Sequence, residues 1–118
     1  MEYHEDVILT RYVWDHYQHL MTDFERSVGM ACLIRMKTDA YRNPDPLADA
    51  IEWLQRNQLD SDAARAAIEN PHQFRDDVRD RVLDECKVEL FVNRCSECGK
   101  VVSTPKARQC LRCGHDWH

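Results

Sequence analysis

The sequence predicts a mainly α protein: a small helical domain over 1–89 followed by a compact cysteine-rich tail over 90–118. Three observations carry this expectation. Apolar residues recur at steps of three or four through most of the first ninety positions, and capping and proline signals punctuate them. Four of the six cysteines then fall into two Cys-x2-Cys pairs within the tail.

The first apolar stripe runs Leu9, Val13, Tyr17, Leu20, Phe24, Val28, Ala31, Ile34, the spacing of one helical face. Its phase does not change across Thr22-Asp23-Phe24-Glu25, a capping-box sequence at which a second helix can begin. One long or gently bent helix over 9–40 is therefore favoured, with a helical hairpin as the rival. Asn43-Pro44-Asp45-Pro46 ends it, because the prolines lack an N–H and restrict the residues before them. Three shorter helices follow. Asp45 as N-cap and Pro46 in the first turn open one over Leu47, Ala50, Ile51 and Leu54. Ser61 or Asp60 caps a short alanine-rich helix that Pro71 stops, and Asn70-Pro71 starts the last one. That helix carries Phe74, Val78, Val82, Cys86 and Leu90 at steps of four, with Arg75, Asp76, Arg79, Asp80, Arg81 and Asp84 expected on a solvated outer face. Cys32 and Cys86 lie on apolar stripes, where a free cysteine acts as a small buried hydrophobe. Near 87–93 the period becomes that of a strand at Val88, Leu90 and Val92, which places the boundary of the tail.

Charge divides the chain as sharply as hydropathy does. Residues 1–93 hold 11 Lys and Arg against 19 acids, a formal net of −8, whereas the tail holds 5 bases against 2 acids, a net of +3. No charged segment followed by an apolar run opens the sequence, and the longest apolar run, VGMACLI, is far short of the roughly 20 residues that span a bilayer. A soluble, cytoplasmic protein is expected. In that setting cysteine pairs are read as metal thiolates rather than as a secreted disulfide framework.

Cys95, Cys98, Cys110 and Cys113 spell C-x2-C-x11-C-x2-C, and a shift of fifteen residues superposes Cys95-Cys98-Gly99 on Cys110-Cys113-Gly114. Two residues between thiolates let both sulfurs of a tight turn reach one ion at ~2.3 Å, while the glycine supplies the positive φ at which the chain reverses. These four cysteines are the expected metal ligands. Zinc is the expected ion, one per chain, and a filled tetrahedral shell makes it structural, with no open position for water or substrate. His115 and His118 stand outside that count, beside Trp117. Metallation also removes most of the tail's positive charge, because four thiolates around a divalent ion bring its net to about +1.

The paired CxxCG turns resemble those of the zinc-ribbon group over the last 25 to 30 residues. The resemblance implies a small β-hairpin or three-stranded sheet with a structural zinc at one end, as found in transcription factors, ribosomal proteins and enzyme appendages. It also implies Cys95, Cys98, Cys110 and Cys113 as ligands. The fold class expected for the whole chain is therefore a helical domain with a C-terminal β-hairpin zinc ribbon. The x11 gap is shorter than the usual spacing of about 15 to 20 and leaves room for a brief hairpin only.

Other chemistry finds little support. Two redox CxxC pairs would need a βαβ context that is absent. His16 and His19, with Asp15 and Asp23 nearby, lack the Glu-x-x-His pairs of a di-iron bundle, and Gly29, Gly99 and Gly114 build neither a phosphate loop nor a nucleophile elbow. A helix-turn-helix over 47–58 and 62–69 would place Arg65 among Asp62 and Glu69, the wrong charge for DNA. The expected function is thus non-catalytic. It is an interaction module whose partner is another protein, with nucleic-acid binding through Arg94, Lys100, Lys106, Arg108 and Arg112 as the alternative.

Overall fold

The computed structural model describes residues 3–37, 45–102 and 104–117. Five helices account for most of it: α1 (Glu5–His16), α2 (Asp23–Met36), α3 (Pro46–Arg56), α4 (Asp62–Glu69) and α5 (Pro71–Glu85), with a 3-10 turn at Gln18–Leu20 after α1. No described helix is long and apolar enough to cross a membrane.

The favoured single helix over 9–40 is corrected: the chain breaks between α1 and α2. The capping box decides the break. The Glu25 N–H donates to Thr22 Oγ1 (3.1 Å), the Thr22 N–H donates to Glu25 Oε1 (2.8 Å), and two orphan donors of α2 are satisfied at once. The stripe does not survive as one buried face: Tyr17 is buried, whereas Phe24 is exposed. The later caps agree with the sequence. Asp45 accepts from the Ala48 N–H, with Pro46 opening α3, and Ser61 accepts from the Ala64 N–H at the start of α4. Asn43 and Pro44, expected to end the first helical region, lie outside the described residues.

Contacts divide the chain into two units, Met21–Val78 and a second that joins Met1–Leu20 to Arg79–His118. This differs from the division at residue 89 that composition suggests. In the first unit α2 packs on α3 and α4, and α3 on α4. Val28, Ala31, Cys32, Ala50, Leu54, Ala64, Ala67 and Ile68 form its core, with Leu47, Trp53 and Phe74 packed against it. Five of these core residues are Ala or Cys, whose small size lets the helix backbones approach closely. Cys32 is the buried hydrophobe expected of it: its thiol donates to the Ala67 carbonyl at 3.7 Å, and burial pushes its pKa up to about 12.

In the second unit, α1 is held to residues far along the chain. Arg79 belongs to the face of α5 expected to be solvated, and that expectation is corrected: its side chain is only 10% exposed. The guanidinium donates to the Asp6 carbonyl and to Thr10 Oγ1, both at 3.0 Å, and pairs with Asp80. A buried charge stays only where hydrogen bonds replace its hydration, which these partners do.

Cys32 should therefore resist iodoacetamide at neutral pH in the native protein, whereas half-buried Cys86 is modified. Mass spectrometry of the alkylated, digested protein reads both sites. Modification of Cys32 at the rate of Cys86 would contradict the packing of the first unit.

Candidate metal centre

Residues 93–102 and 108–117 are two copies of one backbone device. The Cys95 N–H donates to the Lys100 carbonyl (2.9 Å), and the Cys110 N–H to the His115 carbonyl (2.8 Å). The Gly99 N–H returns to the Cys95 carbonyl and the Gly114 N–H to that of Cys110, both at 2.8 Å. Val102 pairs with Asn93, and Trp117 with Arg108, each at 2.9 Å. Every bond of the first knuckle recurs in the second after the fifteen-residue shift seen in the sequence. Gly99 and Gly114 take φ of 75° and 81°, a left-handed conformation that glycine enters without steric cost.

The expected β-hairpin is not shown. Among the described residues the tail holds only two isolated antiparallel bridges, Arg94–Val101 and Gln109–Asp116, each closing its own knuckle. The reason is length. The two knuckles use 93–102 and 108–117, so only 103–107 remain between them, too few to run a pair of strands.

The knuckles bring all four predicted cysteines together, with sulfurs within 4.8 Å of one another. Cys95 Sγ lies 3.5 Å from Cys113 Sγ, and Cys98 Sγ lies 3.7 Å from Cys110 Sγ. A regular tetrahedron of sulfurs ~2.3 Å from its centre has edges of about 3.8 Å, so the cluster has the size to hold one metal ion. The pairs that approach most closely come from opposite knuckles, and all six cysteines are free thiols. Cys95 and Cys110 are buried, Cys98 and Cys113 exposed. Among the described residues this is the one group of three or more potential ligands placed to hold an ion.

Backbone N–H groups tune the sulfurs. Those of Cys113 and Arg112 point at Cys110 Sγ and, against the opposing effect of burial, draw its pKa down to about 6. Burial opposes ionisation of Cys95, but the N–H groups of Cys98 and Glu97 outweigh it and the thiol lies below its ordinary value. At Cys113 the N–H of His115 favours the thiolate, yet hydrogen bonding to the Cys95 sulfur and its neighbours, together with burial, pushes it up to about 12.

His115 does not join them. His115 Nε2 lies 3.2 Å from Ser96 Oγ, and its ring stacks on Trp117 with centroids 5.5 Å apart. His118 lies outside the described residues. His16 and His19 turn their rings toward Tyr12 and Tyr17.

Several residues that hold the cluster in place carry no signal in the sequence. Asn93 is buried, and its side-chain amide donates to the carbonyls of Thr104 (3.0 Å) and Ala107 (2.9 Å), fixing the link between the knuckles. Its own N–H donates to the Tyr12 hydroxyl (3.1 Å), which in turn donates to the Phe91 carbonyl (2.6 Å). The Tyr17 hydroxyl donates to the same carbonyl at 3.0 Å. Burial raises the Tyr12 phenol to about 12, so it remains a neutral donor at physiological pH. Tyr3 adds a third anchor, since its hydroxyl accepts the Val101 N–H at 3.0 Å. Arg94 meets Glu5 at 2.8 Å, and that guanidinium, with the Tyr3 hydroxyl, holds the Glu5 carboxyl below its usual range. The chain matches no known protein family, no curated protein and no solved structure.

Cys110→Ser should abolish tight metal binding, since a serine hydroxyl is a poor neutral-pH ligand, while His115→Ala leaves it nearly unchanged. Competition with a chromogenic chelator measures both. A loss of ~10-fold or more in the histidine variant, with Cys110→Ser still tight, would mean a mixed shell. Chelation should also remove part of the helical circular dichroism, from α1, because Tyr12 and Tyr17 lose their partners when 91–93 is released. Undiminished helicity would contradict that linkage.

Proposed function

We propose that this chain is a non-catalytic macromolecular-interaction module of the cytoplasm, stabilised by one structural zinc ion on Cys95, Cys98, Cys110 and Cys113. The single observation that supports the reading is the four-sulfur cluster, which offers enough ligands from the protein alone to fill a tetrahedral shell. Zinc suits it better than other ions because four thiolates at tetrahedral spacing favour a soft or borderline metal without redox demands. Similarity to the zinc-ribbon group rests on the paired CxxCG turns. The ion acts as a substitute core, since the apolar side chains around the cysteines are few: Val102, Ala107 and Trp117.

Protein interaction is favoured over nucleic-acid binding by what the tail's bases already do. Arg94 pairs with Glu5 and donates to the Gly99 carbonyl. Arg112 donates to the Val101 carbonyl and, with Lys100, lies over the Tyr3 ring. Three of the five candidate phosphate contacts are thereby engaged within the chain, and residues 1–93 add a net charge of −8 that repels a polyanion.

Elemental analysis of protein from zinc-replete medium should give one zinc per chain, and the protein should leave heparin at low salt while retaining a protein partner in a pull-down. One iron per chain would overturn the zinc assignment. Retention on heparin to high salt would favour the nucleic-acid reading instead.

A further inference from the structure

Among the described residues two of the tail's five bases are not engaged, and they share a groove. Lys106 and Arg108 side chains are exposed and have no hydrogen-bond, ion-pair or ring partner among the described residues. Together with Phe91, Pro105, Ala107 and Trp117 they line a depression of about 470 Å³, inside the range of about 300 to 1,000 Å³ typical of ligand pockets. The groove is held in shape. Asn93, which also lines it, clamps the 104–107 link, and the Phe91 backbone is fixed by the Tyr12 and Tyr17 hydroxyls. The Phe91 ring nevertheless stands 59% exposed over that fixed backbone, while Trp117 is braced by stacking on His115. Aromatic rings flanked by cations that have no partner among the described residues are the composition of a recognition site, because an aromatic anchor gains buried area and a cation selects a carboxylate.

We propose that this groove binds an acidic peptide segment of a partner protein, an apolar side chain seated against Phe91 and Trp117 and flanking carboxylates paired with Lys106 and Arg108. The inference rests on the interaction reading above and names the surface and the partner's chemistry. Charge complementarity selects the peptide. Two free cations suffice for one or two carboxylates, whereas two phosphate contacts give a nucleic acid only a small counterion-release gain, with a salt slope of about −1.4 to −1.8. The acidic remainder of the chain opposes a polyphosphate further.

Full-length, zinc-loaded, ¹⁵N-labelled protein would be titrated with three probes. They are a pool of short synthetic peptides mixing Glu and Asp with Leu, Phe and Trp, the same pool with Lys and Arg in place of the acids, and an oligouridylate. The acidic pool should produce saturable amide shifts at Phe91, Lys106, Ala107 and Arg108 and at the Trp117 indole, and the other two should not. The double variant Lys106→Glu, Arg108→Glu should weaken the binding about tenfold or more with zinc content unchanged, and Phe91→Ala should weaken it with the charge intact. Absence of saturable shifts from the acidic pool up to about 1 mM, equal binding by the charge-reversed variant, or stronger shifts from the oligouridylate would overturn the proposal. A partner retained in the pull-down as well by the charge-reversed protein as by the original would leave the interaction reading standing and remove the groove from it.

Discussion

Four sulfurs within 4.8 Å of one another are the constraint on which the second unit depends. As thiolates they repel, and as thiols they form only weak hydrogen bonds, so nothing in their own chemistry holds them together as a divalent cation does. The backbone is nevertheless arranged for ionisation. Each knuckle turns N–H groups onto its first cysteine sulfur, and the glycine that follows makes that turn possible. A structural zinc contributes roughly 10 to 16 kcal/mol in small finger peptides, enough to replace a core that here amounts to a few side chains around the buried cysteines.

Around that centre, hydrogen bonds tie the tail to α1. The first knuckle begins at Asn93, whose side chain fixes the link to the second knuckle and whose backbone meets Tyr12 on α1. Tyr12 and Tyr17 then secure Phe91, and Tyr3 secures Val101. A hydroxyl buried between two backbone groups costs about 1 to 3 kcal/mol if either is left unpaired, so Tyr12 and Tyr17 act as clamps as well as buried contacts. The cysteine-bearing tail and the first helix thus belong to one unit, although more than seventy residues separate them in sequence.

What could be read from the sequence was local. Thr22 with Glu25, Asp45 with Pro46, and Ser61 cap their helices as their side-chain chemistry requires, and the fifteen-residue repeat of the cysteines reappears bond for bond in the knuckles. What could not be read depended on partners distant in sequence or on competition between two local signals. The stripe through Thr22 kept its period across the break, so hydropathy favoured one helix where the capping box made two. Arg79 looked like part of a solvated face because its partners, the Asp6 carbonyl and Thr10, lie about seventy residues earlier. The hairpin expected from zinc-ribbon resemblance is not shown; among the described residues each knuckle closes on itself through its own backbone bonds.

X-ray absorption at the zinc edge of the purified protein tests the central claim most directly. A zinc ion held by the two knuckles alone requires four sulfur scatterers at ~2.3 Å with no nitrogen or oxygen in the shell. A shell containing nitrogen or oxygen at about 2.0 to 2.1 Å, or fewer than four sulfurs, would contradict it, showing that the knuckles leave a position open and that the site is not purely structural.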